Sequence, residues 1–246
     1  MPRFFIRQNQ IEEIDGAKTV TVTGDDAHHI SRALRMASGE VIEVVDMQKN
    51  LYTCELNGFF DGYVTAKVIS EGKADTEPNC YIRLYQALAK GDKMETIIQK
   101  SIECGACEIV PFSSERCIAK VEKKEEGKKL DRWQKIAESA AKQSGRGMIP
   151  QIKGVLSFKE LLENMSGTVL FCYEGEDTVS IKKALQSNKI TGEVSVIVGS
   201  EGGFSQREAE LLKEKGAISV GLGKRILRCE TAPIFALSCL IYELEL

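Results

Sequence analysis

The apolar run Val194-Ser-Val-Ile-Val198 leads into Gly199-Ser-Glu-Gly-Gly203 and then Phe204-Ser205, so a strand delivers a glycine-rich turn straight into a helix start. Such a turn lets bare backbone approach a ligand closely. Spacing excludes two familiar readings. No Gly-Lys-Ser/Thr follows, as a phosphate loop requires, and glycines at 199, 202 and 203 miss the dinucleotide fingerprint. A second segment, Gly221-Leu-Gly-Lys-Arg-Ile226, misses that fingerprint at its last position. Both follow strand candidates, and open parallel sheets bind ligands beyond the carboxyl ends of their strands. Taken singly, each is explained equally well as a structural turn.

Positioning these turns takes an alternation of strands and helices. Apolar or β-branched runs predict strands at Tyr81–Leu88, Glu108–Pro111, Val169–Tyr173, Val194–Val198 and Ile218–Gly221. Helix starts are marked by Asp92-x-x-Glu95, Ser157-x-x-Glu160 and Ser205-x-x-Glu208, each with the spacing of a capping box. An apolar helix over about Ala232–Glu243 ends the chain, either as core or as half of a dimer interface. The first 70 residues read differently. Strands at Thr19–Thr23, Val41–Asp46, Leu51–Leu56 and Tyr63–Ile69 surround one helix at Asp26–Met36, which fits a small β-barrel. The polar stretch Glu71–Asn79 is the linker, dividing a domain of residues 1–72 from an α/β domain of residues 73–246.

Composition narrows the class. With 246 residues, 43% hydrophobic and 28% charged, the chain has the make-up of an ordinary globular protein. The start, Met1-Pro-Arg-Phe-Phe-Ile-Arg7, lacks the apolar stretch of a secretory signal, so a cytoplasmic location is expected. Eight cysteines are then expected to stay reduced; only Cys104 and Cys107 have ligand spacing, with no histidine nearby, and no metal site is expected. A net charge of -3 argues against indiscriminate nucleic-acid coating. The exception is Phe112–Arg146, with ten Lys or Arg against six Asp or Glu. A helix over Lys128–Arg146 would place Trp133, Ile136, Ala137, Ala140 and Ala141 on one face and Arg132, Lys135, Ser139, Lys142 and Arg146 on another. The second face is a basic stripe suited to phosphates.

The two turns, together with Leu222-Gly-Lys-Arg-Ile-Leu-Arg-Cys-Glu-Thr-Ala232, resemble the signature of SPOUT-class RNA methyltransferases, and most closely the RsmE family. The likeness runs through Arg3-Phe-Phe, His29, Arg32-Ala-Leu-Arg-Met36, Lys90-Gly-Asp-Lys-Met94, Glu103-Cys-Gly105, Ser114-Glu-Arg116, Arg132–Ala137 and Gln143-Ser-Gly-Arg146. One departure is Ser200, where the family usually has proline. The resemblance implies a PUA-like N-terminal barrel, an α/β domain with a C-terminal trefoil knot, a homodimer and S-adenosylmethionine as cofactor. It places the cofactor against Gly199, Ser200, Glu201, Gly202, Leu222, Gly223, Ile226, Leu227, Arg228, Thr231 and Ala232, with the loop Cys172, Tyr173 and Glu174 as an addition.

The implied reaction methylates N3 of a uridine in 16S rRNA, with the small ribosomal subunit as the expected partner. N3 carries a proton on the pairing edge, so the base must be unpaired and the developing anion stabilised. Arg228 or Arg116 would meet the anion, and Glu103 or Glu201 would accept the proton. RNA is expected on Arg3, Arg7, Arg32, Arg35, Lys90, Lys93, Arg116, Arg132, Gln143 and Arg146. Cys229 is expected to pack, since N3 methylation needs no thiol nucleophile. Two alternatives stay open: a SPOUT enzyme acting on another rRNA or tRNA position, and a noncatalytic RNA-binding assembly factor.

Overall fold

The computed structural model describes all residues except Asp15, Glu176 and Lys189, and the side chain of Ile14. Two compact units result, Met1–Glu77 with Ala141–Ile149, and Pro78–Ala140 with Pro150–Leu246.

The first unit is a six-stranded sheet of β1 (Arg3–Ile6), β2 (Ile11–Ile14), β3 (Ala17–Thr23), β4 (Val41–Asp46), β5 (Asn50–Phe60) and β6 (Tyr63–Lys73). Spatial order is β1-β4-β5-β6-β3-β2; β1 runs parallel to β4 and every other pair is antiparallel. Asp61-Gly62 joins β5 to β6, and glycine at φ 83° supplies the left-handed conformation a two-residue hairpin turn needs. Alternate side chains bury Phe4, Ile6, Val20, Val22, Ile42, Val44, Leu56 and Val64 in one core. The helix expected over 26–36 is shorter and wider: α1 (Gly24–His28) runs into a π-type turn, His29–Ala33, and stops at Arg35 with φ 53°. Strands β1 and β2, four residues each, are not picked out by the sequence reading.

Segment 141–149 joins this unit through charge rather than sequence proximity. Arg146 Nη2 lies 2.6 Å from Glu77 Oε2, both side chains nearly fully buried, and the Gly147 N–H donates to Glu77 at 2.8 Å. Arg3 donates to the Gly145 carbonyl, and the Lys142 ammonium pairs with Asp26 at 2.7 Å. The compact units thus differ from a division at residue 72 by this segment and by residues 73–77.

The second unit contains β7 (Tyr81–Ala87), α2 (Lys93–Glu103), β8 (Glu108–Ser113), α3 (Lys123–Gln143, its last turn belonging to the first unit), β9 (Gln151–Ile152) and β10 (Leu156–Ser157). It continues through α4 (Phe158–Asn164), β11 (Thr168–Cys172), β12 (Val179–Ser180), α5 (Ile181–Ser187), β13 (Glu193–Val198), α6 (Gln206–Glu214), β14 (Ile218–Gly221) and α7 (Thr231–Glu245). The strands pair in parallel in the order β10-β8-β7-β13-β11-β14-β12, with β9 beside β8. Central β13 is buried at five successive residues, Val194–Val198, so side chains on both of its faces are covered and its near-continuous apolar run follows. Parallel pairing puts the carboxyl ends of β7, β13, β11 and β14 along one edge of the sheet. Two of the three expected capping boxes form, at Ser157 and Ser205; Asp92 precedes α2 without a side-chain cap bond.

Candidate functional site

Strand β13 ends at Val198 and the chain turns tightly over Ser200–Gly203, closed by a bond from the Gly203 N–H to the Ser200 carbonyl at 2.9 Å. Gly203 has φ 63°, and a Cβ on Gly202 would lie 2.9 Å from Cβ and 3.1 Å from the carbonyl oxygen of Arg116. Glycine is thus favoured at 203 by conformation and required at 202 by proximity. Phe204 anchors the turn, stacked on Phe112 with ring centroids 6.3 Å apart and edge-on to Phe171. Ser205 then opens α6: its hydroxyl accepts from the Glu208 N–H and donates to Glu115 at 2.7 Å. Ser200 is buried and its hydroxyl donates to the Arg116 carbonyl at 3.4 Å, a tie that proline does not offer.

This turn and the segment after β14 converge on one pocket of 790 Å³. Its walls take Gly199, Ser200, Glu201 and Gly202 from the first turn, Leu222, Ile226, Leu227, Arg228 and Ala232 from the second, and Cys172, Tyr173 and Glu174 from the end of β11. Gly223 and Thr231, also expected, lie outside the lining. Of the proposed catalytic residues, Arg228, Glu201 and Arg116 are brought together here. Glu103 is not: it ends α2, away from the lining, with its carboxylate 2.9 Å from Lys100. Sequence reasoning misses Gln206 and Arg225 as lining residues, although both sit inside the motifs, and assigns Lys93 to RNA instead.

Lys93 organises the charge. Its ammonium lies 3.0 Å from Glu201 and 3.6 Å from Glu230. The Glu201 hydrogen bond is the main reason its pKa is raised. Burial disfavours ionised Glu201, but hydrogen bonds from Lys93 and from the Glu201 and Lys90 N–H groups outweigh that penalty and hold its carboxyl below the ordinary value. Glu230 is likewise lowered: burial opposes it, while backbone, Cys229 and Lys93 interactions prevail. Burial, then the hydrogen bond to Glu230, pushes the Cys229 thiol up to about 12, so it is a protonated packing group at neutral pH. Arg116 donates to the Gly202 carbonyl at 3.2 Å, whereas the exposed Arg228 side chain makes no ion pair among the described residues.

The residues expected on RNA divide sharply. Arg7, Lys90 and Gln143 are exposed, as are Arg32 and Arg35, the latter held at a positive φ that costs a non-glycine residue about 1–2 kcal/mol. Arg3 pairs with Glu43 at 2.8 Å, and Arg146 is 3% exposed against Glu77, so both guanidiniums are consumed within the first unit. The basic stripe on α3 is correspondingly interrupted, with Arg132 on Glu95 at 2.7 Å and Lys142 on Asp26.

Known proteins share this architecture. A family model described as "RNA methyltransferase domain" matches residues 76–241, and one described as "RNA methyltransferase PUA domain" matches residues 22–73. The chain is 37% identical over 252 residues to "Ribosomal RNA small subunit methyltransferase E" of Bacillus subtilis, covering 100% of this chain and 98% of that protein. It superposes on the Neisseria gonorrhoeae methyltransferase E crystal structure bound to S-adenosyl methionine with a TM-score of 0.85 at 31% identity, covering 98% of this chain and 97% of that one. A putative methyltransferase of Legionella pneumophila, in complex with the same cofactor, gives a TM-score of 0.85 at 28% identity, with 98% and 96% covered.

Proposed function

The chain belongs to the RsmE family of RNA methyltransferases, and we propose that it methylates N3 of a uridine in 16S rRNA using S-adenosylmethionine. The observation that carries this reading is the convergence of both glycine-bearing turns, with Glu201, Arg116 and Arg228, on one pocket. S-adenosylmethionine, when bound, supplies a sulfonium methyl group open to attack by a nitrogen. The lining suits that molecule. Leu222, Leu227, Val198 and Ala232 offer apolar wall for a nucleobase, while the turn over Gly199–Gly203 exposes backbone for polar groups.

The chain's own residues then have defined tasks. An extruded uridine that loses its N3 proton spreads negative charge over O2 and O4, and Arg228, without an ion-pair partner among the described residues, meets that charge. Arg116, tied to the Gly202 carbonyl, holds the turn and adds a second cation. Glu201, kept ionised by Lys93, is the acceptor within the pocket, and Glu103 has no part. Alignment of nitrogen with methyl supplies much of the remaining acceleration.

Exposed Arg7, Arg32 and Arg35 on the first unit, and Lys90 and Gln143, are the proposed RNA contacts. A homodimer is supported by the apolar side chains left exposed on and before α7, with Ile226 83%, Phe235 38% and Tyr242 69% exposed. The C-terminal segment is inferred to thread as the trefoil knot of this class, consistent with both turns closing one pocket. No helix among the described residues is long and apolar enough to cross a membrane, and a ribosomal substrate implies activity in the cytoplasm.

The test incubates the protein with labelled S-adenosylmethionine and small subunits from a strain lacking the enzyme, then identifies the product nucleoside. 3-Methyluridine is expected. Any other methylated nucleoside overturns the acceptor, and no cofactor binding at millimolar concentration would leave a noncatalytic assembly factor.

A further inference from the structure

We propose that a second cavity next to the cofactor pocket is a subsite for the RNA nucleotide adjoining the target uridine. This deepens the methyltransferase reading and rests on it. The cavity has a volume of 280 Å³, near the small end of ligand pockets at roughly 300 Å³, so it suits one nucleotide rather than a duplex. Its walls include buried Leu88 and Met94 and the indole of Trp133, itself 6% exposed. Lys120, Lys129 and Arg132 supply the charge.

The cations outnumber the carboxylates facing them. Asp92 and Glu95 line the same cavity, but Glu95 is already matched by Arg132 at 2.7 Å. Lys120 and Lys129 make no ion pair among the described residues, and with Asp92 counted against them the cavity keeps a net positive charge for a phosphate. An apolar floor under unspent ammonium groups is the chemistry that holds a single-stranded nucleotide, with its base inward and phosphate at the rim.

Position decides which nucleotide. The two cavities share two strips of chain: Lys93 lines the first and its neighbours Asp92 and Met94 the second, while Arg116 lines the first and Ala119 the second. Residues one to three positions apart in sequence thus line both cavities, and three residues span at most about 11 Å, so the two cavities are neighbours that one RNA strand can reach together. Ile118, in the strip between them and 67% exposed, offers an apolar edge there. Extruding the target base unstacks its neighbour, and this cavity receives the neighbour instead.

The chain has a single tryptophan, so indole fluorescence reports on this cavity alone. Titration with hexauridylate should change Trp133 emission saturably. The double variant Lys120→Ala with Lys129→Ala should weaken that binding at least tenfold. It should also make the slope of log affinity against log salt shallower by about 0.7 for each phosphate no longer neutralised. Arginine at both positions should restore binding, while cofactor affinity by calorimetry stays unchanged in both variants. With small subunits as substrate, the alanine pair should raise KM far more than it lowers kcat. A wild-type protein that methylates small subunits while the alanine pair leaves KM unchanged, or while RNA leaves Trp133 emission unmoved, refutes the subsite alone. Failure of the wild type to bind cofactor or methylate anything would instead defeat the functional reading.

Discussion

Replacing Gly202 by alanine tests the cofactor turn most directly. The added Cβ would sit 2.9 Å from Cβ and 3.1 Å from the carbonyl oxygen of Arg116, where ordinary contact begins at 3.4 Å. Neither atom is the tip of a flexible side chain, so the Gly202 turn and the Arg116 turn that follows β8 must separate by about half an ångström. Overpacking of this kind costs typically 1–3 kcal/mol. Because both sides of the clash line the pocket, the cost should fall on binding, where about 1–3 kcal/mol corresponds to roughly a 5–150-fold rise in Kd. Calorimetric titration with S-adenosylmethionine reads the affinity, and a thermal melt in the absence of ligand reads any share that falls on stability. Gly72→Ala is the control, since a Cβ there meets nothing within 4 Å. A Gly202→Ala protein with cofactor Kd within twofold of the wild type and an unshifted melt would refute the idea that this turn is packed against Arg116 and shapes the pocket.

Three further outcomes follow from the same geometry. Lys93→Met removes the cation that helps hold Glu201 and Glu230 below their ordinary 4.5; the backbone hydrogen bonds remain, but both carboxyls should titrate at higher pH than in the wild type, Glu201 more than Glu230, and the acid limb of the pH–rate profile should move upward. In the wild type those lowered values add stability that is full above 4.5 and lost as pH falls through the depressed values, so the variant should lose that acid-sensitive part of its melt curve; an unchanged profile and melt would sink this account. Cys229→Ala should leave turnover mostly intact, because the thiol is protonated at neutral pH, whereas a thousandfold loss in single-turnover methylation would point to a nucleophile. Arg146→Met strands the buried Glu77 carboxylate and should destabilise the first unit by about 3–5 kcal/mol in denaturant titration, and a loss under about 1 kcal/mol would show that the pair is not sealed from water.

Much of the site is legible in the sequence because its signals are local. Glycine at 199, 202 and 203 after an apolar run, and Ser205 with Glu208 beyond it, report backbone demands that depend on a few neighbouring residues. The order of strands and helices in the second unit is readable for the same reason, since β7, β11, β13 and β14 are each short stretches rich in apolar or β-branched residues. Short elements escape: β9, β10 and β12 are two residues each, and β1 and β2 only four.

Charge is what the chain by itself could not place. Arg3, Lys93, Arg132, Lys142 and Arg146 look alike in the sequence, all of them basic residues suited to phosphate. The fold gives Arg146 to Glu77, Arg3 to Glu43, Arg132 to Glu95 and Lys142 to Asp26, and turns Lys93 toward two carboxylates of the pocket. These partners lie between 37 and 137 positions away along the chain, and an ion pair depends on separation in space, about which residue type carries no information. Local conformation was therefore written in the residues, whereas the fate of each cation was decided only when distant strands and helices came together.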